Sequence, residues 1–207
     1  MSVLALLDYA AVLVFALTGA LVASRAQLDA VGFAFVACLT AVGGGTVRDV
    51  LLDRHPVFWV SNPNYILIAV AAALAVFFTA HLIESRYRAL LWLDSFALAV
   101  AVTAGVAHSM QVHQPALIVV LMGIATGCMG GLMRDVVCNE VPLVLKQGEL
   151  YVTAAFAGSL LAVVLARIGA EPLFVLGGCA GLTWALRAGS IQFGWRLPVY
   201  KGRAPRE

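Results

Sequence analysis

Polar positions divide the chain into long apolar runs. Read with a window of about 19 residues, runs stand out at 3–24, 31–52, 64–83, 90–108, 116–138, 150–168 and 172–190. Each is about 20 residues, enough at 1.5 Å per residue to cross a hydrocarbon core of about 30 Å. The junctions 24–27, 56–64, 84–88, 108–115, 140–149 and 169–172 hold residues that break helices or prefer water. Trp59, Tyr87 and Trp92 fall near run ends, where amphipathic rings favour the headgroup level. The pattern predicts an all-α integral membrane protein of seven transmembrane helices, with 1–207 as one transmembrane domain. Residues 1–7 lack a basic stretch and Asp8 interrupts the first run, so that run is read as a retained span rather than a cleaved signal.

Composition sharpens the class. Of the 207 residues, 62% are hydrophobic and 12% charged, against about 25% charged in an ordinary globular domain. Disordered chains, basic nucleic-acid binders and disulfide-knotted secreted domains are excluded, so no nucleic-acid partner is expected. Cys38, Cys128, Cys138 and Cys179 sit in apolar runs without metal-ligand spacing and are read as small buried hydrophobes. His55, His81, His108 and His113 are scattered, and no nucleophile–base set or phosphate loop occurs. Neither enzymatic activity nor a cofactor is expected.

Charge placement sets orientation. Arg25, Arg86, Arg88, Lys146, Arg187, Arg196, Lys201, Arg203 and Arg206 fall on one side, and only Arg54 and Arg167 on the other. The positive-inside rule then puts the N-terminus outside and the C-terminus in the cytoplasm, with 191–207 a basic cytoplasmic tail able to attract anionic lipid.

The chain also repeats. An offset of 86 superposes Leu7-Asp8 on Leu93-Asp94, Gly19 on Gly105, Thr40 on Thr126 and Gly44-Gly45 on Gly130-Gly131. Without a gap it also matches Arg48-Asp49-Val50 with Arg134-Asp135-Val136, Pro56 with Pro142, and Tyr65 with Tyr151. Repeat one covers about 5–83 and repeat two about 90–168, with a seventh helix at 172–190 outside both. Three spans per repeat is an odd number, so the halves enter the membrane from opposite sides and are inverted.

The second span of each half carries the candidate chemistry. Gly43, Gly44 and Gly45 in one, and Gly130 and Gly131 in the other, predict kinked or unwound helices whose freed carbonyls face an ion pathway. Close helix packing is the competing reading; it is preferred for Gly177 and Gly181 and set aside for the glycines beside Arg-Asp. Charges in a span cost at least about 2.5 kcal/mol each, so Arg48, Asp49, Arg134 and Asp135 need partners. Helix depth pairs Asp8 with Arg48 and Asp94 with Arg134, while neighbours Arg48 and Asp49 point in different directions. Asp49 and Asp135 are then left to accept backbone or hydroxyl donors or to attract cations at two mouths. The six charges fit a structural cage as well as a conducting role. Thr18, Thr40, Thr46, Thr103 and Thr126 offer hydroxyls to a hydrated path or to their own helix carbonyls. Lys146 and Glu149 are candidate gating charges or plain interface residues.

The doubled motif Gly43-Gly44-Gly45-Thr46-Val47-Arg48-Asp49 and Gly130-Gly131-Leu132-Met133-Arg134-Asp135, with Pro56 and Pro142 after it and Glu149-Leu150-Tyr151 beyond, resembles the prokaryotic trimeric intracellular cation channels. The resemblance spans about 5–190. It implies a seven-helix protomer in the cell (inner) membrane, a homotrimer with one pore per protomer, and permeation by potassium and, less selectively, sodium. Animal members carry a Lys-Glu-Val signature that binds phosphoinositide, and the corresponding stretch here reads Gly-Thr-Val-Arg-Asp. The alternative from another class is a secondary transporter of a small amino acid such as glycine, since inverted repeats with discontinuous helices also build carriers.

Overall fold

The structure, a computed structural model, describes residues 3–83 and 85–198; Glu84 of the third junction and Lys201, Arg203 and Arg206 of the tail lie outside the described residues. Eight α-helices follow in chain order: α1 (Val3–Arg25), α2 (Ala30–Leu51), α3 (Phe58–Ser61), α4 (Asn64–Thr79), α5 (Arg86–Gln111), α6 (Ala116–Val137), α7 (Val152–Arg167) and α8 (Pro172–Phe193). Six of them, α4 being extended by a 3-10 turn to Leu82, are long and apolar enough to cross a membrane. The seventh apolar helix, α7, has 16 residues, or about 24 Å at 1.5 Å per residue. It starts at Val152 rather than at 150, because Gly148 takes φ +80° and 148–150 pair with the segment after α8 instead.

Two other boundaries differ from the hydropathy reading. Ser85 caps α5, its hydroxyl accepting from Arg88 N at 3.4 Å, so Arg86 and Arg88 begin the helix rather than ending a loop. The same helix runs on to Gln111 and carries His108 inside it, buried. The short α3 lies in the junction 56–64, where no helix is predicted.

Helix ends repeat with the sequence. After α1, α2, α5 and α6 the chain passes through left-handed Gln27, Asp53, His113 and Asn139, with φ between 53° and 55°. Each turn is closed by a six-to-one hydrogen bond: Leu28 N to Ala23 O (3.1 Å), Arg54 N to Asp49 O (2.8 Å), Gln114 N to Ser109 O (3.1 Å) and Glu140 N to Asp135 O (2.8 Å). Every member of the second pair of ends lies 86 positions after its counterpart in the first.

The core has two parts. α1, α2, α4 and part of α5 enclose one around Phe15, Leu21, Val36 and Tyr65; α5, α6, α7 and α8 enclose the other around Leu98, Val106, Tyr151 and Cys179. α2 against α6 joins the halves, and here the glycines find their use. A Cβ on Gly44 would stand 2.1 Å from Thr126 O, and one on Gly130 2.4 Å from Thr40 O. The contact is reciprocal, since 44 and 130, like 40 and 126, are repeat-equivalent. A Cβ at Gly43 would meet Met133 Sδ at 2.8 Å, and at Gly45 the Phe58 ring at 2.6 Å. Both helices run unbroken through these positions. The expected unwinding is absent, and the packing role set aside for the doubled glycines is the one they fill: without Cβ atoms the two backbones touch. Gly177 and Gly181, assigned to packing, have nothing within 4 Å and face away from the rest of the chain.

Candidate ion pathway

Each half builds one arginine-centred charge cluster with the same wiring. In the first, Arg48 Nη1 donates to Asp8 Oδ1 at 2.9 Å and Nε to Asp49 Oδ1 at 2.8 Å, while Asp49 Oδ2 accepts from Phe58 N at 2.9 Å. In the second, Arg134 Nη1 donates to Asp94 Oδ1 at 2.9 Å and Nε to Asp135 Oδ1 at 2.7 Å, while Asp135 Oδ2 accepts from Leu143 N at 2.8 Å. The pairs across helices are those that depth assigns. The neighbour pairs correct the view that Arg48 and Asp49 do not meet: a guanidinium presents Nε and Nη1 along different edges of its fork, so one arginine serves a carboxylate on its own helix and one opposite.

The clusters differ in surroundings. The first lines an open polar cavity of about 570 Å³, walled by Asp8, Asp49, Asp53, Arg54, Asn62, Tyr65 and His108 among others. Arg54 Nη1 lies 3.4 Å from Asp49 Oδ1 and 2.6 Å from His108 Nδ1, and His108 Nε2 lies 2.8 Å from Asp8 Oδ2. Because arginine can only donate, Nδ1 accepts and the proton on Nε2 goes to Asp8. Beneath this cavity a void of about 20 Å³ runs between Ala11, Ala41, Gly44, Ala101 and Thr126, room for about one water. It stops at the α2–α6 crossing.

The second cluster is sealed. Arg134 and Asp94 are 0% exposed and Asp135 2%; Asp49, at 1%, is as buried as Asp135 and differs from it in lining the open cavity. Thr18 Oγ1 accepts from Arg134 Nη1 at 3.0 Å and donates to Phe15 O at 2.8 Å, tying α1 to the inner cluster. Removing that hydroxyl in Thr18→Val is expected to lower stability by about 1–3 kcal/mol, the cost of stranding a charged donor. A drop in the thermal midpoint in detergent checks it.

The remaining candidates are ordinary by comparison. Thr40, Thr46, Thr103 and Thr126 each donate to the carbonyl four residues back, and Thr46 also accepts from Trp59 Nε1 at 3.0 Å. Gly131 faces Tyr151 and Arg134. Lys146 bonds the Tyr87 hydroxyl. Glu149 Oε2 accepts from Arg187 Nη1 at 2.7 Å. Among the described residues, no group of three or more His, Cys, Asp or Glu gathers around a metal position.

Sequence reasoning missed three site residues. His108 falls at a run end and was grouped with scattered histidines, although it bridges Asp8 and Arg54. Arg54 was counted only as a loop charge. Arg187 was counted as cytoplasmic although it lies inside the 172–190 run; it is fully buried in α8, and a charge within an apolar run was the available signal.

An all-helical membrane protein whose two halves meet at glycines and carry matched arginine–aspartate clusters is the class that this fold and site define. The family model described as glycine transporter matches residues 5–81 and again 91–167, two segments 86 positions apart. The fold matches the structure of the TRIC trimeric intracellular cation channel orthologue from Rhodobacter sphaeroides with a TM-score of 0.91 at 40% identity, covering 94% of this chain and 100% of that one. A UPF0126 membrane protein of Vibrio cholerae is 36% identical over 96% of this chain and 83% of its own length. The UPF0126 inner membrane protein YadS of Escherichia coli K12 is 34% identical over 94% of both. The chain belongs to this family, the prokaryotic branch of the trimeric intracellular cation channels.

Proposed function

We propose that the chain is a passive, potassium-permeable cation channel of the inner membrane, assembled as a homotrimer with a conducting path inside each protomer. The cavity at Asp8 and Asp49 carries the reading. Its wall holds three carboxylates, Asp8, Asp49 and Asp53, and one arginine, Arg54; with Arg48 paired to Asp8 and Asp49 behind the wall, three carboxylates face two arginines, and both arginines are engaged by Asp49. Two long helices, α2 and α5, end at this wall and two others, α1 and α4, begin at it, so their terminal partial charges offset and the carboxylates set the sign. A concave, acid-lined mouth concentrates cations. A relative described as a cation channel agrees with it.

The path runs from this mouth past Asp8 and Asp49, along the glycine crossing of Gly43, Gly44, Gly45, Gly130 and Gly131, to the Asp94–Arg134–Asp135 cluster. In this state it is closed at the crossing and at the inner cluster, and opening requires α2 and α6 to bend or part. The two halves are inverted about the reciprocal α2–α6 contact, and the charge bias places the N-terminus outside and the C-terminus inside.

The family model's description supplies the second reading, a glycine carrier. A substrate carboxylate needs a cation or a helix N-terminus: Arg54 and the Phe58 N–H at the start of α3 are both engaged by Asp49, while the starts of α1 and α4 also line this wall. Proteoliposomes separate the two: potassium-loaded vesicles should lose potassium down its gradient without glycine, and labelled glycine should not accumulate. Saturable glycine uptake with no potassium leak would overturn the channel reading.

Asp53 offers a clean probe, since its side chain is 96% exposed and asparagine keeps the left-handed turn. Asp53→Asn is expected to reduce single-channel cation conductance in dilute salt and leave it unchanged at about 1 M, where the screening length falls to about 3 Å.

A further inference from the structure

The segment after α8 folds back instead of leaving the protein. Gly194 takes φ +69° and ends the helix. Trp195 then lies on Gly189, where a Cβ would come within 2.3 Å of the indole. The Ser190 hydroxyl donates to Trp195 O at 3.0 Å and accepts from Leu150 N at 3.2 Å. Leu197 N donates to Gly148 O at 3.0 Å, and Glu149 and Arg196 form an antiparallel bridge. From α8 itself, Arg187 holds the Glu149 carboxylate. Residues 148–150 are thereby fastened through backbone and side chain alike.

The next residue is Tyr151. It is 1% exposed, and the Arg187 guanidinium lies 5.0 Å from its ring centroid. Its hydroxyl, Arg134 Nη2 and Asp94 Oδ1 all lie 3.3–3.6 Å from the point where a Cβ on Gly131 would stand. The Tyr151 hydroxyl therefore sits beside the inner charge cluster, directly after the fastened loop. The first half provides the control. Tyr65, its repeat equivalent, lines the open cavity, and among the described residues the chain leading to it bonds α1 through Asn62 and the Tyr9 hydroxyl and forms no bridge like that of Glu149 with Arg196. Of two clusters wired alike, the one beneath a fastened loop is shut.

We propose that residues 194–197 are a strap that holds the inner end of the path closed by pinning 148–150 and so keeping Tyr151 beside Arg134 and Asp94. Release of the strap removes the fastenings at Gly148 and Glu149 and leaves only those from α8, Arg187 to Glu149 and Ser190 to Leu150, so that the loop and Tyr151 can shift. The inference rests on the channel reading above. It needs no ligand: lifting the segment exchanges a few backbone hydrogen bonds and one indole contact for water, a small enough cost to serve as a gate.

The test locks the strap. Paired positions of an antiparallel bridge have Cα atoms about 4.5–5.5 Å apart, within the span of a disulfide, so Glu149→Cys with Arg196→Cys should cross-link on oxidation. In planar bilayers under a potassium gradient, the oxidised double variant is expected to open several-fold less often than the same protein after reduction, while oxidation leaves the wild type unchanged. Both arms lack the Glu149 carboxylate, so its loss cancels. Trp195→Ala, which removes the indole from Gly189, is expected to raise open probability several-fold. Equal opening of cross-linked and reduced channels, failure of the pair to cross-link, or wild-type gating by Trp195→Ala would overturn the strap while leaving conduction intact. Absence of current from every form, wild type included, would instead sink the channel reading.

Discussion

Alanine at position 44 is expected to prevent the two halves from docking. Its Cβ would stand 2.1 Å from Thr126 O, a backbone oxygen that moves only if α6 moves with it. Overpacking of a flexible core costs about 1–3 kcal/mol, and relief here requires separating two helices over their whole contact, so a loss of at least about 3 kcal/mol is expected. Gly130→Ala, at 2.4 Å from Thr40 O, should behave alike. Gly177→Ala is the control: nothing lies within 4 Å of that Cβ, and the gain in helix propensity, about 1 kcal/mol, should leave stability unchanged or raised. Thermal midpoints of the three variants in one detergent decide it. A folded, wild-type-like Gly44→Ala would mean that the helices do not touch there.

The second large effect is expected at Asp94. In Asp94→Asn the Arg134 guanidinium, wholly buried, keeps Asp135 and Thr18 but loses the carboxylate opposite. An uncompensated buried charge costs about 3–5 kcal/mol, and about 3 kcal/mol is expected with Asp135 retained. Asp94→Asn with Arg134→Gln should recover much of that loss, because the charge itself is removed. Asp8→Asn makes the matching change in the first half with a smaller effect, since Asp8 lines the polar cavity and water there replaces part of what is lost. Denaturation of the four variants completes the cycle, with Arg134→Gln as its fourth corner. Additive losses at 94 and 134 would deny the pair, and equal losses at 8 and 94 would deny the difference in burial.

Much of this was legible in the chain. The seven apolar runs lie within a few residues of the six long helices and the shorter α7, because in lipid every backbone polar group must be satisfied internally and hydropathy alone marks where that happens. The pairing of Asp8 with Arg48 and of Asp94 with Arg134 followed from depth, since helix rise is fixed and a charge in a span must find its complement at its own level. The unwinding expected at the glycines is absent for a physical reason: Gly-Gly reads the same whether it frees a carbonyl or admits a neighbouring backbone, and only the partner helix decides. Arg48 meeting Asp49 was hidden because helical direction sets where a side chain starts and not where a long guanidinium ends. His108 and Arg187 were missed because their partners, Asp8, Arg54 and Glu149, lie on distant segments. The strap was out of reach, because Trp195 and Leu197 meet Gly189 and Gly148 only once the chain has turned back at Gly194.

Single-channel recording of the purified wild type in a planar bilayer, under a potassium gradient with chloride as the only anion, tests conduction most directly. Discrete openings that reverse near the potassium equilibrium potential are the predicted result. Reversal near the chloride potential, or a silent bilayer from protein that accumulates labelled glycine in vesicles, would contradict it.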